Sequence, residues 1–287
     1  MTANAAPRST NRAKPVNIFG KVALHMALLL FAAIALIPFV WMIVSSLKTS
    51  VDVFSIPMRW LPASFRWDNY AVIWDRVPLL TYFRNTISVA AVVTFMQLLT
   101  SSFAAYAFAK ISFRGRDALF LAYIATIAVP WQVYMIPQFI MMRGMGLYDT
   151  IWALVTLQSF SAFGVFLMRQ FYLSIPNELS EAARIDGLSE YGIWARIVLP
   201  LSKPAIATLI IFTFVNTWND YMGPMIYLTT DTNKTIQVGL RRFIQAYSAE
   251  FNLIMSASLC SLLPVAIVFL FLQCFFIEGI ATTGIKG

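Results

Sequence analysis

Glu181-Ala182-Ala183-Arg184-Ile185-Asp186-Gly187, followed after nine residues by Ile197 and then by Leu199-Pro200, is the stretch from which the rest of this chain can be read. It lies in the long polar interval 171–203 between two apolar runs. Asn177 is placed to cap a short helix, and Gly187 to end it by taking a left-handed conformation cheaply. Ser189 is placed to start a second helix, on which Leu188, Tyr191, Trp194, Ala195 and Val198 recur at helical spacing while Glu190 and Arg196 face elsewhere. Pro200 is expected to stop it. The pattern predicts a helix-turn-helix along a membrane surface, with Ala182 and Ala183 small enough for another protein to approach closely. On amphipathicity alone it would be an ordinary loop of a polytopic protein.

Composition sets the class before any motif is used. Of the 287 residues 59% are hydrophobic and 12% charged, far from the quarter of charged residues usual in a soluble domain, so the chain is read as an all-α polytopic membrane protein. Cys260 and Cys274 fall in one apolar run, ~21 Å apart along a helix at ~1.5 Å per residue, so they cannot bridge each other. The formal charge of +8 reflects topology, and a nucleic-acid partner is not expected.

Residues 1–21 form a polar tail carrying Arg8, Arg12, Lys14 and Lys21 and no acid, expected to be disordered and cytoplasmic. Residues 22–277 read as a six-span domain, with spans 22–47, 85–109, 118–142, 150–168, 205–228 and 254–277. Pro38 is a kink candidate in the first span, and His25 near its inner end reads as interfacial. Residues 48–84 are polar and rich in interfacial aromatics (Trp60, Trp67, Tyr70, Trp74). The second span carries the small residues Ser101, Ser102, Ala104 and Ala105, suited to close helix packing. Pro130 and Pro137 interrupt the third. Six spans put both ends on one side, and the uncompensated basic tail with the tight Lys110, Arg114, Arg116 loop places that side inside. The tail 278–287 is then cytoplasmic as well.

Asp220 is the clear ionisable residue within a span, in Asn216-Thr217-Trp218-Asn219-Asp220-Tyr221. Two readings stand side by side. In one, Asn216, Trp218, Asn219 and Asp220 line the outer part of a polar passage; in the other, Asp220 snorkels or pairs with a neighbouring helix. No phosphate loop of the form G-x-x-x-x-G-K-[ST] is present, so ATP hydrolysis by this chain is not expected. Nor is there a metal-ligand cluster or a nucleophile with its base, and an enzyme is not expected. Several intramembrane acids or bases would mark an ion-coupled secondary transporter, whereas Asp220 stands alone.

The spacing Glu-Ala-Ala, three residues, Gly, nine residues, Ile, one residue, Leu-Pro resembles the EAA signature of the permease subunits of ABC importers at every signature position. The resemblance implies a type I importer permease in a bacterial inner (plasma) membrane. It implies a coupling role for Glu181, Ala182, Ala183, Asp186, Gly187, Ile197, Leu199 and Pro200 against a cytoplasmic ATPase. Residues 218–228 resemble a stretch of the carbohydrate-uptake branch. The C-terminal run, through Gly284, Lys286 and Gly287, is similar to the ending of the smaller permease of maltose-type sugar importers, where the tail reaches the ATPase interface. Thr283 and Gly284 depart there from a common Gly-Ala. The implied partners are a second permease, two ATPase subunits holding ATP and Mg²⁺, and an extracytoplasmic binding protein, with no cofactor or metal on this chain itself. Glycerol-phosphate or another polyol is the nearest alternative cargo. A scaffold or channel subunit, like the ion-coupled transporter, is disfavoured by the docking motif.

Overall fold

A computed structural model describes residues 18–245 and 250–283 of the chain, and these are helical with turns and no strand. In order they form α1 (Ile18–Ser46), α2 (Ser50–Val53), α3 (Asn69–Arg76), α4 (Leu79–Lys110), α5 (Arg116–Ala125), α6 (Trp131–Gly144), α7 (Ile151–Gln158) and α8 (Ala162–Ser174). These are followed by α9 (Asn177–Ile185), α10 (Glu190–Ile193), α11 (Leu199–Leu201), α12 (Lys203–Trp218), α13 (Met222–Tyr227), α14 (Ile236–Gln245) and α15 (Phe251–Thr283). Three helices are long and apolar enough to cross a bilayer unaided: α1, α4 and α15. Three bent pairs are apolar enough together: residues 116–128 with α6, α7 with α8, and 190–201 with α12. The first and last residues of the chain, with the basic tail up to residue 17, lie outside the described residues.

The expected spans differ from these helices at their breaks. Residues 118–142 are not one rod, because the chain turns by 97° before Trp131. Pro130 lacks the N–H that would continue the ladder and takes an extended backbone at the N-cap. Pro137, by contrast, lies inside α6 without ending it. Residues 150–168 bend by 42° between α7 and α8, and 205–228 is divided at Asn219–Tyr221 between α12 and α13. α4 begins at Leu79, before the expected 85, because Leu79 and Tyr82 are buried in a cluster with Ile73, Trp218 and Ile236. Tertiary burial extends this helix into a polar stretch.

α4 is the central element, packed on α8 and α12, while α12 and α1 pack on α15. Most of α1 is exposed on the surface of the chain, as a helix facing lipid or another subunit must be. α4 and α8 cross closely. Ser101, Ser102 and Ala105 are buried there, and a Cβ added at Gly164 would lie 2.4 Å from Ser101 Oγ. Small residues bring the backbones together, as the strip in the sequence predicted. At one end of α4, Asn69 donates to the carbonyls of Ser46 and Lys48 at 2.7 and 2.9 Å. Lys48 there is fully buried, its Nζ 4.4 Å from the Trp41 ring and donating to Arg59 O. The α9–α10 hairpin occupies the other end.

Candidate docking hairpin and polar cavities

The hairpin is built as its glycine requires. The N–H of Gly187 donates to Arg184 O and that of Leu188 to Ala183 O, at 3.0 and 2.9 Å, which together close α9 in a Schellman motif. Gly187 sits at φ +83° with open space where a Cβ would project, so its need is conformational rather than steric. Ser189 caps α10 by accepting from Gly192 N at 3.3 Å. Asn177 is not a cap. It occupies the first turn of α9, and its Oδ1 accepts from Lys110 Nζ at 2.8 Å.

The faces of the hairpin also differ from the simple helical pattern. Ala183 is buried against the chain's own core with Ile193 and Val198, whereas Ala182, Tyr191 and Ala195 are exposed. A π turn over Trp194–Val198 leaves the buried Ile193 and Val198 five residues apart, a departure from the α-helical period. Pro200 does not end this segment either. It fits the first turn of α11, and the break falls at Ser202, where the chain bends by 81° into α12. The outward surface therefore carries Glu181, Ala182, Ile185, Asp186 and Gly187, with Ile185 87% exposed at its tip. Ile197 packs against the core, and Leu199 is half-buried.

Polar ties stiffen this surface from behind. Arg184 donates to both carboxylate oxygens of Glu190, at 2.6 and 3.2 Å, and Tyr106 OH donates to Glu190 Oε2 at 2.6 Å. The Arg184 guanidinium, and next the Tyr106 hydroxyl, hold the Glu190 carboxyl below its ordinary range. Trp194 Nε1 donates to Ser102 Oγ at 2.8 Å, and its ring stacks on Phe103 with centroids 4.1 Å apart.

Two cavities flank one hydrogen bond between Gln158 and Asp220. Gln158 Nε2 donates to Asp220 Oδ2 at 2.8 Å, while Gly223 N donates to Asp220 Oδ1 at 3.1 Å. Asp220 thus bridges the α12–α13 break and pairs with the last residue of the neighbouring α7. One cavity, ≈ 300 Å³, is lined by Trp131, Tyr134, Gln138, Gln158, Asp220 and Tyr227 among others. The second, ≈ 440 Å³, is lined by Gln97, Gln158, Ser161, Thr213, Asn216 and Asp220 among others. Gln97 Nε2 and Thr100 Oγ1 donate to the carbonyls of Gln158 and Ser159 at 2.6 and 2.8 Å, satisfying groups that the α7–α8 break leaves free.

Comparison with known proteins settles what such a chain is. The profile of the binding-protein-dependent transport system inner membrane component family matches residues 97–281, which include the hairpin and both cavities. The chain belongs to that family. This permease is 32% identical to the arabinooligosaccharides transport system permease protein AraQ of Halalkalibacterium halodurans, over 89% of this chain and 93% of the relative. It is 31% identical to the lactose transport system permease protein LacG of Rhizobium radiobacter, again over 89% and 93%. Among solved structures, it superposes with a TM-score of 0.78 on a chain of a bacterial ABC transporter involved in the import of the acidic polysaccharide alginate. The two are 25% identical, and 92% of this chain and 99% of that one are covered.

Of the permease residues singled out in the sequence, Asn216 and Asp220 meet at the second cavity, and two do not join them. Trp218 is buried, its Nε1 donating to Ser261 and its ring stacked on Phe214, so it belongs to the core of the helix packing. Asn219 is turned away and accepts from Gln237 at 3.3 Å. Sequence reasoning missed Gln97 and Gln158. Both are uncharged amides in apolar runs, and an amide in such a run is the signal that could have found them. Gly284, Lys286 and Gly287 lie outside the described residues.

Proposed function

We propose that this permease moves a carbohydrate across a bacterial inner membrane as one subunit of an ABC importer. The sugar would be delivered by an extracytoplasmic binding protein, and the energy supplied by ATP held with Mg²⁺ in two partner ATPase subunits. The family membership and the sugar-transport names of its relatives support the cargo class. In this reading α1, α4, residues 116–128 with α6, α7 with α8, α12 with α13, and α15 make six spans, both ends and the hairpin face the cytoplasm, and a second permease completes the path.

The observation that carries the coupling role is the hairpin's build. An exposed apolar tip, Ile185, stands on two short helices locked by a glycine turn and an Arg184–Glu190 ion pair. A rigid knob with an exposed tip has a shape that can enter a cleft of another protein. Closure of the ATPase subunits pushes this knob, and Glu181, Ala182, Asp186 and Gly187 form its contact surface. Ala183 and Ile197 support it from the core side, while Leu199 is half-buried and Pro200 exposed on the segment that follows. The C-terminal residues, Lys286 among them, would add a second contact.

The path reading rests on the two cavities. Amides, hydroxyls and one carboxylate match the donors and acceptors of sugar hydroxyls, and Trp131 and Tyr134 offer ring faces. The test is Asp220→Ala in the reconstituted importer. Uptake is expected to fall roughly tenfold, as loss of about 1.4 kcal/mol of polar contact would give. Unchanged uptake with intact assembly would remove Asp220 from the path.

A further inference from the structure

One stripe of α4 reaches the hairpin and its flanks. Ser102, Tyr106 and Lys110 recur at intervals of four, and each is bonded there: Ser102 to Trp194 and Tyr172, Tyr106 to Glu190, and Lys110 to Ile175 O and Asn177. Further along the same helix, Gln97 and Thr100 hold the carbonyls at the α7–α8 break. Tyr106 and Gln97 are about 13 Å apart along an uninterrupted rod at ~1.5 Å per residue. The covalent routes out of the hairpin are less direct. Toward α12 the chain bends by 81° at Ser202, and toward α8 it leaves the helix at Ile175 and Pro176.

We propose that α4, which has no covalent link to the hairpin, is the rod that carries hairpin movement to the break beside the cavities. Tyr106 is the positioning residue that joins them through Glu190. Arg184 fixes the Glu190 carboxylate by a two-point contact, so the hydroxyl of Tyr106 meets an acceptor that moves with α9 and α10 as one body. At the far end, Gln97 also accepts from Thr213 of α12 at 2.9 Å, so a shift of α4 reaches both walls of the second cavity. The inference rests on the import reading above.

The test uses the complete importer in inside-out vesicles, with Cys260→Ser and Cys274→Ser removing this chain's thiols and Asn216→Cys reporting from the cavity. A charged methanethiosulfonate is added on the cytoplasmic side, and labelling of this chain is followed by mass. In the parent, trapping with ATP and vanadate is expected to protect Asn216→Cys. In Tyr106→Phe that protection should shrink by roughly fivefold or more while the amount of trapped nucleotide stays the same. Thr100→Val, at the other end of the rod, should act in the same direction should Tyr106→Phe lower assembly. Equal protection in the parent and both variants would overturn the α4 route alone, whereas absence of protection in the parent would overturn the import reading beneath it.

Discussion

Gly187 stands at a left-handed φ of +83° with nothing within reach of an added Cβ, so a side chain there pays in backbone conformation alone. For Gly187→Val that cost is about 1–2 kcal/mol. The apolar spans are untouched, and the variant should reach the membrane near its normal level. Docking should weaken, and so should Ala182→Asp, which puts a charge on the exposed face. Copurification of the ATPase subunits, with their stimulated hydrolysis, measures this; full retention in both variants would reduce the hairpin to a solvated connector. At the opposite end Asp149, at φ 61°, accepts from Thr229 N, Thr230 N and Thr230 Oγ1. These bonds, the Thr230 hydroxyl foremost, hold its carboxyl at about 2. A carboxyl depressed on folding stabilises above its ordinary range, and the contribution is lost as pH falls through about 2. Asp149→Ala should therefore lower stability at pH 7 by about 1–3 kcal/mol, read as a drop in the thermal midpoint of the purified complex.

Between elements, the α4–α8 crossing leaves no room for a side chain at Gly164. Gly164→Ala would put a Cβ 2.4 Å from Ser101 Oγ and 3.1 Å from Ser101 Cβ and Leu209 Cδ1, so the Ser101 hydroxyl must turn aside and its neighbours give way. The expected loss is about 1–3 kcal/mol. Ser101→Gly vacates the same volume from the other side. In the pair Gly164→Ala with Ser101→Gly, most of the loss should return, since residues in contact do not add. Thermal midpoints of the two singles and the double decide it, and strict additivity would show that the clash lies elsewhere.

Across the whole molecule, the orientation proposed above can be read from two labels. Ile56, which is 98% exposed, suits a cysteine for external reagent, whereas Asn233 is half-buried in the 3₁₀ turn before α14 and donates to Asp149 O. Asn69 does not suit one, because it is buried and bonded to Ser46 and Lys48. In intact cells an impermeant thiol reagent should modify Ile56→Cys and leave Glu190→Cys untouched. Modification of Glu190→Cys from outside would invert the topology.

Composition and the spacing of a few residues determined the class, the family and the hairpin. Those properties are local or additive: apolar runs long enough for a bilayer, a glycine that ends a helix, and a serine that starts the next. Tertiary structure decided the rest. Trp218 and Ala183 read from the sequence as surface groups, yet partners far along the chain bury them, among them Ser261 for Trp218 and the cluster holding Ala105 and Tyr106 for Ala183. Gln97 and Gln158 meet only because α4 passes the α7–α8 break, 61 residues later in the chain. The 97° turn before Trp131 and the π turn at Trp194 depart from the ideal helical period. Periodicity assumes a straight helix with one neighbour, and a helix in this bundle is bent and packed on several sides at once.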